Sequence, residues 1–320
     1  MHKLTQQAVL RIMAWIGIGM AAVTVLLRAW LMPTLRDAET GLFSSAVPVV
    51  VLMLASLVVL AGLGFSQRHG RREIAAPVGQ RTGVAVILSG AVLTLSGLWD
   101  SWLWLVDTQM PPPQTVDTSG IGVIALWLQL IFGVLGGVAL VRLGLLLVAE
   151  GSTRRGIAGW SMLAPVLWMW FRLARYEMSY VSTVRLSESF FDFVLFILEL
   201  LFLFRLARYT AGVGKVGAGS LQFYACATAL FALSGPLTRL AMYLLGDSEA
   251  YLASELAGVA DVAVGALAAA VAFGLSTVPA EDEEATAADE PPHGESSDSP
   301  EAEGTASPAD DNGFDFIIDE

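Results

Sequence analysis

The sequence predicts an all-α fold: a polytopic bundle of about eight transmembrane helices followed by a disordered acidic tail. Three observations predict it. Of 320 residues, 55% are apolar, with a mean hydropathy of +0.64, against about 45–50% in ordinary soluble chains. The apolar residues gather into eight runs of about 20 residues, the length that crosses a ~30 Å hydrocarbon layer at ~1.5 Å per residue. Finally, fifteen of the thirty acids, and no Lys or Arg, lie between Glu281 and Glu320. The formal charge of -12 therefore belongs to the tail, and the 18 bases and 15 acids elsewhere leave the remainder at +3. Such a body offers no basic surface to nucleic acid, and its partner is the lipid bilayer.

Residues 1–277 form the predicted transmembrane domain, with spans near 10–31, 46–65, 84–106, 121–148, 157–176, 188–206, 219–245 and 253–276. The first follows Lys3, carries Arg11 near its start and has no small-residue cleavage site after it, so it is read as a retained span. The second is uninterrupted. In the third, Ser89, Ser96 and Asp100 follow i, i+7, i+11 and share one face. The fourth holds Gly133 and Gly137 at GxxxG spacing, a packing signal, and Arg142 further on.

The fifth span is the weakest. Its uninterrupted apolar part, Gly159 to Phe171, reaches only about 20 Å as a helix, Pro165 interrupts it, and Arg172 and Arg175 follow. The sixth carries Asp192 and Glu199 seven apart on one face. The seventh contains Gly235-Pro236, whose freed backbone groups need neighbours, and Arg239. In the eighth, Gly258, Asp261 and Gly265 place an acid in a small-residue stripe where helices pack closely.

Orientation follows from bases in the short loops. Arg68, Arg71, Arg72 and Arg81 in one loop, Arg154 and Arg155 in another, and Arg208 and Lys215 in a third define the cytoplasmic side; only Arg36 and Arg185 lie in the opposite loops. Eight spans with both termini cytoplasmic satisfy this pattern, in a cell membrane, here of bacterial type.

The string FRLARY occurs twice, at Phe171 to Tyr176 and Phe204 to Tyr209, ending consecutive antiparallel spans and therefore on opposite faces. Each copy follows aromatic residues, sets Arg at i and i+3 and closes with Tyr, as a helix leaving the membrane does. The second agrees with the charge rule. Arg172 and Arg175 of the first fall on the outer side, against it, in a span too short to end before them.

Charged groups in the hydrocarbon layer cost at least about 2.5–3.5 kcal/mol each and usually face the interior and pair. Counting from span ends puts Asp100, Arg172, Arg175, Asp192, Arg239 and Asp261 in one outer layer, with Arg28 beside them, as a candidate solute-binding site or buried ion-pair cluster. Glu199 and Arg142 are the candidate inner pair. Other classes drop out. His2, His69 and His293 lie outside the apolar runs and Cys226 is alone, which speaks against a haem, a metal cage, a histidine relay or a disulfide. No phosphate loop, zinc-protease, nucleophile-elbow or dinucleotide motif occurs, so no cofactor is expected and nothing in the sequence argues for an enzymatic activity.

The tail, 278–320, has too few apolar residues to bury a core and is expected to be disordered. It ends on Phe314, Phe316, Ile317 and Ile318, a candidate peptide for a cytoplasmic protein partner. Between the first two spans, "RDAETGLF" resembles a turn in uncharacterised multi-pass membrane proteins of gut Clostridia; the likeness covers Asp37 to Phe43 and implies no activity. The expected function is binding or transport of a small polar or anionic solute through an outward-facing polar pocket, the alternative a scaffold or sensor acting through its tail. Oligomeric state is not legible.

Overall fold

In the computed structural model every described element is an α-helix, as the apolar runs require: in lipid each backbone N–H and C=O must be satisfied within its own segment. The structure describes residues 2–35, 47–66, 80–107, 120–150, 161–178, 186–211, 218–244 and 255–276, with side chains at some helix ends left undescribed. The helices are α1 (His2–Leu35), α2 (Val47–Ser66), α3 (Gln80–Asp107), α4 (Gly120–Glu150), α5 (Leu163–Met178), α6 (Leu186–Ala211), α7 (Ala218–Leu244) and α8 (Glu255–Ser276). All lie in one compact unit, Met1–Pro279; the second, Ala280–Glu320, lies outside the described residues, as do the expected disorder of the tail and the candidate peptide Phe314, Phe316, Ile317 and Ile318.

Among the described residues, four helices are long and apolar enough to cross a membrane, over Ala8–Leu31, Thr82–Trp99, Val123–Ala149 and Gly258–Leu275. Large apolar side chains point outward from them and from α2, among them Trp15, Leu26, Trp30 and Val58, each about two-thirds or more exposed. In water these would be costly; facing lipid they are the expected surface. The protein is an integral membrane protein.

Helices α3 to α8 pack in sequence order, each against the next, and α8 closes on α3. The result is a ring of six helices. Helix α7 also packs against α1 and α2, and α8 against α1, so the first two helices flank one side of the ring. Helix α7 is accordingly buried along most of its length, with Leu221, Ala225, Thr228, Leu230, Ala232 and Ser234 inaccessible.

Small residues set the closest approaches. A Cβ built on Gly137 of α4 would lie 2.6 Å from the Gly90 carbonyl oxygen of α3, and one on Gly90 would lie 2.7 Å from the Gly137 carbonyl oxygen. Only glycine at both positions lets these backbones touch. Gly133, the other half of the GxxxG spacing, instead receives the indole of Trp168 from α5. On α8 the predicted small stripe faces α7: Gly265 lies against Ala232 and Gly258 against Pro236.

Polar side chains join helices where apolar packing does not discriminate. Gln222 Nε2 on α7 donates to the carbonyls of Leu10 on α1 and Ala272 on α8, both at 3.1 Å, and Thr228 Oγ1 donates to Leu198 on α6 at 3.0 Å. Within α7, Thr238 Oγ1 donates to the Ser234 carbonyl at 2.6 Å, beside the bond that Pro236 cannot make.

Helix α5 departs most from expectation. It begins at Leu163 rather than near 157, has 16 residues and so extends about 24 Å, and continues past both arginines to Met178. Pro165 does not interrupt it. The proline falls in the first turn, where its missing N–H would have had no intrahelical partner.

Candidate functional site

The centre of the site is Arg172, on the first FRLARY copy. A guanidinium needs planar acceptors, and Asp261 of α8 supplies them: Arg172 Nη1 donates to Asp261 Oδ1 and Nη2 donates to Oδ2 at 3.0 Å. This bidentate pair is the strongest form of charge-assisted hydrogen bond. Both residues are buried. Helices α5 and α8 are not packed side by side among the described residues, so the pair reaches across the interior of the ring.

Glu199 of α6 completes a triad. Its Oε2 lies 3.7 Å from Arg172 Nη1, the same nitrogen that serves Asp261. The side chain is wholly inaccessible, and with the acids ionised neither of its oxygens has a hydrogen-bond partner. Aromatic rings close the remaining sides. The Phe196 ring centre on α6 is 4.4 Å from Arg172 Cζ, and the Trp168 ring, one turn back on α5, is at 5.4 Å. Asp192, half-buried two turns before Glu199, adds its field to both Arg172 and Glu199.

Arg172, Asp192 and Asp261 of the predicted outer layer thus come together. Glu199 joins them, and the inner pair expected with Arg142 does not form, because Arg142 is exposed on α4 while Glu199 faces the ring interior. Depth counted from span ends had separated Glu199 from Arg172; the late start of α5 removes that separation. Arg175 diverges from Arg172 despite the i, i+3 spacing: its Nη1 donates to Gln129 Oε1 of α4 at 3.4 Å. Arg28 of α1 is buried with its Cζ 5.5 Å from the Phe191 ring centre. The Asp100 and Arg239 side chains lie outside the described residues. Ser89 and Ser96 are buried, as their shared face predicts.

Sequence reasoning missed Gln129, Phe196 and the interior role of Trp168. Phe196 was within reach, since Asp192, Phe196 and Glu199 follow i, i+4, i+7 on one helical face. Gln129 and Trp168 gave no local sign of their partners. Of the two tryptophans that precede the first FRLARY copy, Trp168 is buried and Trp170 is exposed.

Among the described residues no group of three His, Cys, Asp or Glu side chains is placed to hold a metal ion. What the arrangement can do is hold a fixed cation between two acids inside a low-dielectric bundle, where adding or removing a single charge changes which groups pair. No family model, no curated protein and no solved structure matches this chain.

Proposed function

We propose that this membrane protein binds, or moves across the bilayer, a small polar or anionic solute through an outward-facing polar pocket centred on Arg172. The observation that carries this reading is the mismatch in the triad. One bidentate acid suffices to fix the register of α5 against α8, yet a second, Glu199, is buried beside it without a hydrogen bond. Burying this surplus acid costs either an unsatisfied carboxylate, about 1–3 kcal/mol or more, or the uptake of a proton to neutralise it. An ion pair serving register alone gains nothing from that cost, whereas a site that must exchange partners does. An incoming carboxylate or phosphate can compete with Asp261 for the guanidinium, which recognises such groups through two parallel bonds.

The basic loops support a cell-membrane orientation with cytoplasmic termini and Arg172 toward the outer half, and the "RDAETGLF" likeness supports a bacterial setting. The test is thermal unfolding of the purified protein with acetate, succinate or inorganic phosphate. At least one should raise the melting temperature of the wild type and none that of Arg172→Gln. Stabilisation unchanged by that substitution, or absent with every anion, overturns the reading.

A further inference from the structure

We infer that Glu199 and Asp261 form a proton-binding carboxyl pair that holds one shared proton beside Arg172 and couples this site to protons. The inference rests on the reading of Arg172 as a solute site for its purpose, but not for its chemistry. Glu199 faces Arg172 from α5 and Asp261 from α8; Asp192 acts on it from its own helix, and α7 brings Thr228, whose hydroxyl is already donated to the Leu198 carbonyl. One guanidinium therefore serves two inaccessible acids. If both were ionised, the triad would carry an unmatched negative charge among buried side chains, at a cost of several kcal/mol.

A proton removes the mismatch. Both acids approach the same nitrogen, Arg172 Nη1, so a proton placed on either can bridge the two carboxyls; it gives one of the two Glu199 oxygens a partner and leaves one cation opposite one anion. Two buried carboxyls that face one site commonly share one proton, because both cannot ionise side by side. The arrangement has two forms related by small movements. Arg172 is bonded to Asp261 with the proton on Glu199, or the 3.7 Å gap to Glu199 closes and the proton passes to Asp261. A second proton would neutralise both acids and free the guanidinium for an anion, so that a monovalent anion and a proton enter with no change in the net charge of the cluster.

Infrared spectroscopy tests this on the full-length protein without any solute, in a detergent lacking ester groups. At about pH 8, where exposed carboxyls are ionised, the wild type should show the C=O stretch of a protonated carboxylic acid, shifted in D2O. The band should disappear in Glu199→Gln and likewise in Asp261→Asn, since either substitution leaves a single ionised acid opposite the single guanidinium. Absence of the band in the wild type overturns the proposal, and this measurement needs no variant to fold. A band that survives unchanged in Glu199→Gln, or one that sodium ions abolish in the wild type, also overturns it, the first placing the proton elsewhere and the second making the pair a metal-cation site. Anion-dependent stabilisation without the band would leave the solute reading standing and sink this one; the converse result would do the opposite.

Discussion

At the scale of single residues, the two FRLARY copies show how little a local string decides. Phe171 stacks on Phe132, Arg172 enters the triad, Arg175 reaches Gln129 and Tyr176 meets the edge of Phe196. In the second copy Phe204 is exposed, Arg208 lies over that same ring and Arg205 lies over Tyr224. The first turns Arg172 into the ring interior, and the second ends its helix with both arginines over aromatic rings. Asp261→Ala should therefore lower stability by about 1–3 kcal/mol, because it removes the bidentate acceptor and leaves Glu199 to pair with the guanidinium across a 3.7 Å gap, while Arg208→Gln should leave the melting temperature in detergent nearly unchanged. Replacing Arg172, Asp261 and Glu199 together by leucine should restore the melting temperature toward the wild-type value, since apolar groups of similar volume often match a buried ionic cluster. The same triple variant should lose all anion-dependent stabilisation, and retention of it would separate the ligand site from the triad.

At the scale of helices, close backbone approach and lipid exposure give glycines opposite roles. Gly90 and Gly137 let α3 and α4 touch, and that contact fixes α4 as the platform on which Trp168 seats α5 through Gly133. Gly137→Leu has no space to fill and should push α3 from α4, lowering the melting temperature by several degrees and weakening anion binding indirectly through α5. Gly19 and Gly62, which have nothing within 4 Å of a built Cβ, serve no such approach. Changing either to alanine should stabilise its helix by about 0.5–1 kcal/mol, read as a higher melting temperature with anion binding unaltered. If Gly137→Leu were as harmless as Gly19→Ala, the α3–α4 contact would not be what positions α5.

At the scale of the whole molecule, the all-helical membrane architecture was legible because bilayer thickness and backbone satisfaction leave few alternatives to a 20-residue apolar run. That embedded charges should pair was legible from their cost, but depth alone grouped Arg175 with Arg172, Asp192 and Asp261, and Arg175 turns to Gln129 instead. The pairing of Glu199 was not legible, because α5 begins only at Leu163, which brings Arg172 level with Glu199 on the neighbouring α6, and the apolar run by itself does not mark where the helix starts. The ring also separates the two functional readings. Its described helices all belong to Met1–Pro279, and the triad uses α5, α6 and α8 only, so a chain ending at Pro279 should keep the melting temperature of the full protein, its carboxylic-acid infrared band and its anion-dependent stabilisation. A scaffold or sensor working through its tail predicts the reverse dependence: a tagged full-length protein should capture a cytoplasmic partner that the shortened chain cannot, and Arg172→Gln should capture it as well as the wild type. Loss of anion stabilisation on removing 280–320 would show that the site is not complete within the bundle, which the solute reading does not survive in its present form.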